Sequence, residues 1–192
     1  DSVTSDPKTG YGIQYNQTYI GNTFSYDSKD QAMFGMHPSY DGLTVNGNTV
    51  TNGGLGFFNG RNSTVVGNTA KNSEVWAISL PSCAENVLIA NNTIESKAGH
   101  SIAVRTQYKN IKISNNIIIN SDPNSDGISV ANQIEGLEIE NNHIESASDG
   151  VTVATYLGID NSSEIKKLFK DKVIIEKATL DDIMVYTVRG NI

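Results

Sequence analysis

The chain of 192 residues has one cysteine, four prolines, an aromatic content of only 7% and no surplus of basic residues. Each shortage excludes something. A single cysteine, Cys83, rules out an internal disulfide. It sits in the turn Pro81-Ser82-Cys83 with no histidine in its repeat register, which argues against a nucleophile or a thiolate metal site. Fourteen Lys and Arg against 21 Asp and Glu give a net charge of −7 with no basic stripe, so nucleic acid is not an expected partner. No apolar run is long enough to span a bilayer. The opening Asp1-Ser-Val-Thr-Ser-Asp-Pro-Lys-Thr-Gly is too polar for the apolar stretch of a secretory leader. No set of His, Cys and Asp has metal-ligand spacing, so neither metal nor cofactor is expected.

What the chain has in quantity is asparagine in a fixed phrase. Asn22, Asn48, Asn68, Asn92, Asn116 and Asn142 recur every 20 to 26 residues, within Leu43-Thr-Val-Asn-Gly-Asn-Thr-Val, Val87-Leu-Ile-Ala-Asn-Asn-Thr-Ile and their like. An apolar residue stands three before each of these asparagines and another two after it. Repeats of this length signal stacked units that bury a face only against one another. A second alternating segment closes each repeat: Gly56-Phe-Phe-Asn, Ala77-Ile-Ser-Leu, Ser101-Ile-Ala-Val, Gly127-Ile-Ser-Val, Gly150-Val-Thr-Val, and, by the same reading, Gly12-Ile-Gln-Tyr and Gly35-Met-His-Pro. Period-two alternation denotes strands. Strand, turn, strand, turn without crossover helices predicts an all-β chain, a right-handed single-stranded parallel β-helix. It has six to seven rungs and a rod length of roughly 30 Å at the usual strand spacing. Val45, Val65, Ile89, Ile113 and Ile139 should form one internal column, and Val50, Ala70, Ile94, Ile118 and Ile144 another. The asparagines should stack as a ladder, since an interior amide must find both donors and acceptors.

The pattern divides the chain into a β-helix over residues 1–160 and a C-terminal cap over 161–192. The repeat is already running by Gly12, so the β-helix is expected to continue before Asp1. Past Tyr156 the register breaks. Ile165, Leu168 and Phe169 then space as one face of a short helix, Ala178 stands where a ladder Asn would, and a last strand runs from Ile183.

Chemistry is sought on the outward positions. With Met36, Phe57, Ile78 and Ile102 taken as inward, His37 and Phe58 point out. A site is then expected around His37, Tyr40, Asp41, Phe58, Arg61, Arg105 and Tyr108, with Trp76 nearby. His37 is the candidate acid or base, as imidazole titrates near neutrality. Arg61 and Arg105 suit a carboxylate on a sugar polymer. The alternative reading makes these arginines surface charges paired with Asp41 or Glu85. Asp126 and Asp149, each in Ser-Asp-Gly, read as turn residues. His100 merely precedes its strand, and His143 occupies a variable place in the phrase.

The repeats over residues 11–156 resemble those of the pectin-lyase-like superfamily, which includes pectate lyases, mannuronan C5-epimerases and phage tailspikes and appendages. Phe34-Gly-Met-His-Pro-Ser39, followed a rung later by Arg61, is similar to the epimerase motif Tyr-Gly-x-Asp-Pro-His with its Arg. Gly35, Pro38 and Arg61 match; His37 and Ser39 stand where the motif has Asp and His. The resemblance implies a polysaccharide-binding or polysaccharide-degrading module, extracellular or in a virion, with His37 and Arg61 at a catalytic centre and a homotrimer as a possible assembly. Two alternatives stay open: a lyase or epimerase acting alone, and a structural shaft or adhesin without catalysis.

Overall fold

The structure, a computed structural model, describes residues 12–27, 32–34, 39–81, 84–105, 108–131, 134–155, 174–175 and 184–188. These form three parallel sheets that wrap one apolar interior. The rung in the middle of the chain illustrates the plan. Asn59–Val66 lies on the first face, Thr69–Ser73 on the second and Ile78–Leu80 on the third. Every turn of chain repeats this circuit, and each face stacks its strands in parallel upon those of the neighbouring turns. The second face is a sheet of six such strands, from Thr23–Ser25 to His143–Ser146. The described part is thus the expected parallel β-helix.

Both apolar columns form as the repeats require. On the first face, in-register pairing carries the interior from Tyr19 through Val45, Val65, Ile89 and Ile113 to Ile139. On the second face it runs from Phe24 through Val50, Ala70, Ile94 and Ile118 to Ile144. A one-residue slip would turn either column out to water, so burial of the column fixes register.

The ladder is complete along its described length. Each Asn Nδ2 donates to the Oδ1 of the next ladder Asn, at 2.9 to 3.0 Å, from Asn22 to Asn142. That same Oδ1 also accepts the backbone N–H of the preceding ladder Asn. The second proton on Nδ2 goes to a backbone carbonyl, as in Asn92 to Val65 at 2.9 Å. Every interior amide therefore has its partners, which is the condition for burying one.

Two further columns were not evident from the repeated phrase. The residue before each ladder Asn has positive φ: Gly21, Gly47 and Gly67, then Asn91, Asn115 and Asn141. A second corner does the same with Asn16, Gly42, Asn62, Asn86, Asn110 and Gly136. Gly and Asn exchange freely there because both tolerate the left-handed conformation. In the second corner the exposed amides also stack, Asn110 on Asn86 at 2.9 Å and Asn86 on Asn62 at 3.0 Å.

The structure corrects the register of the early rungs. Ile13 pairs with Ser39 on the first face, so Gly12-Ile-Gln-Tyr is not a third-face strand. On the third face, Phe57 lies opposite Ser79, and Gly56 opposite Ile78. Phe34, not Met36, occupies the position opposite Gly56. The cause is local. Leu55 and Gly56 both donate to the carbonyl of Ala77, at 2.7 and 3.2 Å, which places one extra residue at that corner. Phe58 is thereby turned into the core and Phe57 outward.

The last third-face strand, Val151–Thr155, takes an antiparallel partner, Met184–Val188, which pairs in turn with Ile174–Ile175. An antiparallel strand cannot extend the coil, so on this face the stacking stops there. The helical segment expected between 161 and 171, and Ala178, lie outside the described residues.

Candidate functional site

The third face has an unusual exterior. Ile78 and Leu80 belong to the core, so Ser79 between them faces away from it, yet Ser79 is 0% exposed. In register with Ser79 stand Phe57 on one side and Ala103, Ser129 and Thr152 on the other. Ala103 is fully buried as well, and Ser129 is nearly so. These small residues form the floor of a strip with built walls.

One wall is a column of corner residues. Trp76, His100, Asp126 and Asp149 each stand two places before a third-face strand residue, namely Ile78, Ile102, Ile128 and Val151, and those four are mutually in register. Stacked corners therefore set an indole, an imidazole and two carboxylates along the helix axis. Trp76 makes ring contacts across the turns: Phe57 at 5.6 Å between centroids on one side and His100 at 6.4 Å on the other. The edge of the indole lies against Gly99, which has φ +74 and where a Cβ would strike Trp76 Cδ1. Asp122 secures that corner by accepting the Gly99 N–H at 2.8 Å.

The other wall is Arg105, which follows Val104 at the opposite end of the strand. Its guanidinium lies 4.8 Å from the Trp76 ring centroid, within cation–π range. Val104, just before it, is in register with Leu80, so Arg105 starts from the far end of the strand relative to Trp76 and on the neighbouring turn. The Ser79 hydroxyl has no hydrogen-bond partner among the described residues.

The protonation states are set by the same geometry. His100 Nδ1 accepts the backbone N–H of Asp126 at 2.8 Å, which places the ring proton on Nε2. Burial, and next the positive charge of Arg105, hold the His100 pKa below its usual 6.5. Asp126 Oδ2 lies 3.7 Å from Nδ1, but the ring is neutral and the approach is not an ion pair. Burial holds the Asp126 carboxyl above its ordinary value, although Thr152 hydrogen-bonds to it and lowers it in part. Asp122 is held below its ordinary value, first by the Asn124 N–H. Along the axis the strip therefore changes character. The Trp76 end carries the N–H groups of Arg105, His100 Nε2 and the indole, and the Asp126–Asp149 end carries carboxylates.

The residues expected to share a site are distributed differently. His37 lies outside the described residues. Tyr40 and Phe58 are core residues, 5% and 1% exposed, packed edge to face at 6.4 Å, so neither presents a surface for ligand. Burial, with Tyr19 beside it, raises the Tyr40 pKa well above its ordinary value. Asp41 and Arg61 stand on the first face in a column of alternating charge: Asp41, Arg61, Glu85, Lys109, Glu135, in register throughout. Lys109 approaches Glu135 to 3.6 Å, and Asp41 accepts an N–H from Asn62 at 2.8 Å. Such a column supports strand pairing, since opposite charges lie directly across from one another. Tyr108 lies in the first-face strand Tyr108–Ser114, opposite Ala84 and Ile134. Of the expected residues that are described, Arg105 joins the third-face strip, together with the nearby Trp76. His100, Asp126 and Asp149 are the members that sequence reasoning set aside. The missed signal was their common offset from successive strands.

Among known proteins, the family model described as periplasmic copper-binding protein (NosD) matches residues 1–165. No curated protein and no solved structure matches the chain.

Proposed function

Because the chain belongs to the NosD family, we propose that it works in the cell envelope as a β-helix module that binds polysaccharide along the third-face strip. The observation that supports this most is the Trp76 column. The chain's one tryptophan is fixed at the lip of a surface strip, between a guanidinium and a neutral imidazole, with two carboxylates further along the axis. An aromatic face, charged N–H donors and carboxylate acceptors are together what a sugar chain uses: apolar ring faces, acidic groups and hydroxyls. A strip parallel to the stacking axis suits a linear polymer better than a closed pocket would. A periplasmic family also favours an envelope setting over a virion.

The family description invokes copper, and the described residues do not fit it. Copper sites use imidazole, thiolate or thioether groups converging on one point. Among the described residues no three of His, Cys, Asp and Glu come together in that way. His100 has already committed Nδ1 to a backbone N–H. His143 lies on the second face beside Glu145. Met33 packs against the core.

The experiment is affinity electrophoresis of the folded protein in gels containing acidic or neutral polysaccharides, with equilibrium dialysis against Cu(II) and Cu(I) in parallel. Retardation in an acidic polysaccharide, weakened at least tenfold by Trp76→Ala with the fold intact, is the expected outcome. Tight stoichiometric copper binding together with indifference to every polysaccharide would replace this reading.

A further inference from the structure

The floor of the third-face strip is buried although it faces outward. Ser79, Ala103 and Ser129 form a floor of small residues that faces away from the core. Arg105 follows a strand of that floor, and its guanidinium stands 4.8 Å from the Trp76 ring centroid. In this floor the Ser79 hydroxyl is fully buried and has no hydrogen-bond partner among the described residues. A buried, unsatisfied hydroxyl is destabilising unless another state or a ligand satisfies it. The floor is also made of small residues. Bulkier residues would be expected there if sealing the face were its purpose.

Resting on the glycan-binding reading, we infer that Arg105 covers this floor as a ligand-displaced strap, and that the ligand that displaces it is a uronic-acid-containing oligosaccharide. Arg105 exchanges its cation–π contact with Trp76 for a bidentate contact with the sugar carboxylate, which is the stronger of the two for a guanidinium. The indole it vacates receives the apolar face of the sugar ring. The floor it uncovers gives the Ser79 hydroxyl a partner on the sugar. His100, with its proton on Nε2, donates beside the same indole. The strap makes the site selective: a neutral sugar meets the same closed floor but offers no carboxylate to draw Arg105 aside.

The test uses the chain's one tryptophan, Trp76, as reporter. Its emission is followed during titration with hexagalacturonate and, separately, with neutral cellohexaose, in wild type, Ser79→Ala and Arg105→Ala, each checked for fold by circular dichroism. In wild type, hexagalacturonate should change the emission saturably and cellohexaose should not. Ser79→Ala removes an unsatisfied group, so it should keep or slightly raise thermal stability while weakening hexagalacturonate by about 3- to 10-fold, the value of one hydrogen bond. Arg105→Ala should weaken hexagalacturonate by about 10-fold or more and let cellohexaose bind, because the floor is then open. If wild type binds hexagalacturonate at Trp76 but Ser79→Ala binds it equally well and Arg105→Ala gains nothing for cellohexaose, the strap is refuted and the glycan reading stands. If neither sugar nor any other acidic polysaccharide affects wild type, the glycan reading falls and the strap falls with it.

Discussion

Replacing Asn92 by alanine removes one rung of the ladder, and the cost can be worked bond by bond. The side chain donates to Asn116 Oδ1 at 2.9 Å and to the Val65 carbonyl at 2.9 Å. Its oxygen accepts the Asn68 N–H at 2.9 Å and Asn68 Nδ2 at 3.0 Å. After truncation, Asn68 Nδ2 retains the carbonyls of Val45 and Val66, and Asn116 Oδ1 retains the Asn92 N–H. The Asn68 N–H keeps no other acceptor among the described residues and is buried with its residue at 1% exposure. One orphaned donor costs about 1–3 kcal/mol, and the two other net losses about 1 kcal/mol each, for a total of about 3–5 kcal/mol. That is a large part of the stability of an ordinary domain. At the top of the ladder Asn22 is exposed, and among the described residues its side chain only donates, to Asn48 Oδ1 at 2.9 Å. Asn22→Ala should therefore cost under about 1 kcal/mol. Urea unfolding followed by circular dichroism gives both values, with the exposed Asn46→Ala as a control expected within about 0.5 kcal/mol of wild type. If Asn92→Ala proved as mild as Asn46→Ala, the claim that the ladder holds the interior together would be wrong.

Other consequences follow from the same structure. Gly99→Ala places a Cβ against Trp76 at a positive φ and should cost about 1–3 kcal/mol while shifting tryptophan emission, both read in one thermal melt. His100 has a lowered pKa, so the folded state resists its protonation: its contribution is complete above the usual 6.5 and is lost as pH falls below that value. The stability difference between wild type and His100→Asn, whose side chain can still accept the Asp126 N–H, should therefore change with pH below 6.5 and be flat above it; a difference independent of pH would contradict the burial argument. Asp126 has the opposite sign. Its raised pKa favours the fold below the ordinary 3.8 and loses that advantage as pH rises through the folded value, so Asp126→Asn should gain stability at neutral pH. Truncation after Tyr156 removes the antiparallel partner of Val151–Thr155 and bares that edge, so the shortened chain should form higher oligomers on size exclusion; a stable monomer would deny the cap its role.

The parts of the fold that were legible in the sequence are those where one chemical requirement repeats at every turn. A ladder amide needs an amide above and below it, so the residue cannot vary, and its apolar neighbours must stay in phase. The corner columns were hidden because their requirement is met by two residue types. Asn62 and Gly42 do not look alike, yet they share a backbone conformation. The early third-face register was misread because Phe57 and Phe58 are indistinguishable to a hydrophobic pattern, and only the doubled bond to the Ala77 carbonyl decides which turns inward. The site was the least legible part. Its residues are all different and sit in corners of unequal length. Trp76, His100, Asp126 and Asp149 fall into line only once the strands that follow them have been paired.

The central claim, that the third-face strip is where this β-helix meets a sugar polymer, is tested most directly by a two-dimensional ¹H–¹⁵N spectrum of the labelled protein during titration with an acidic oligosaccharide. Because the chain has one tryptophan, it gives a single indole N–H signal. The account predicts that this signal moves together with the backbone amides of His100, Ala103, Arg105 and Asp126, while those of the second face, such as Thr49, Thr69 and Thr93, stay in place. Shifts confined to the second face, or to the charged column of the first, would put the binding surface elsewhere and contradict it.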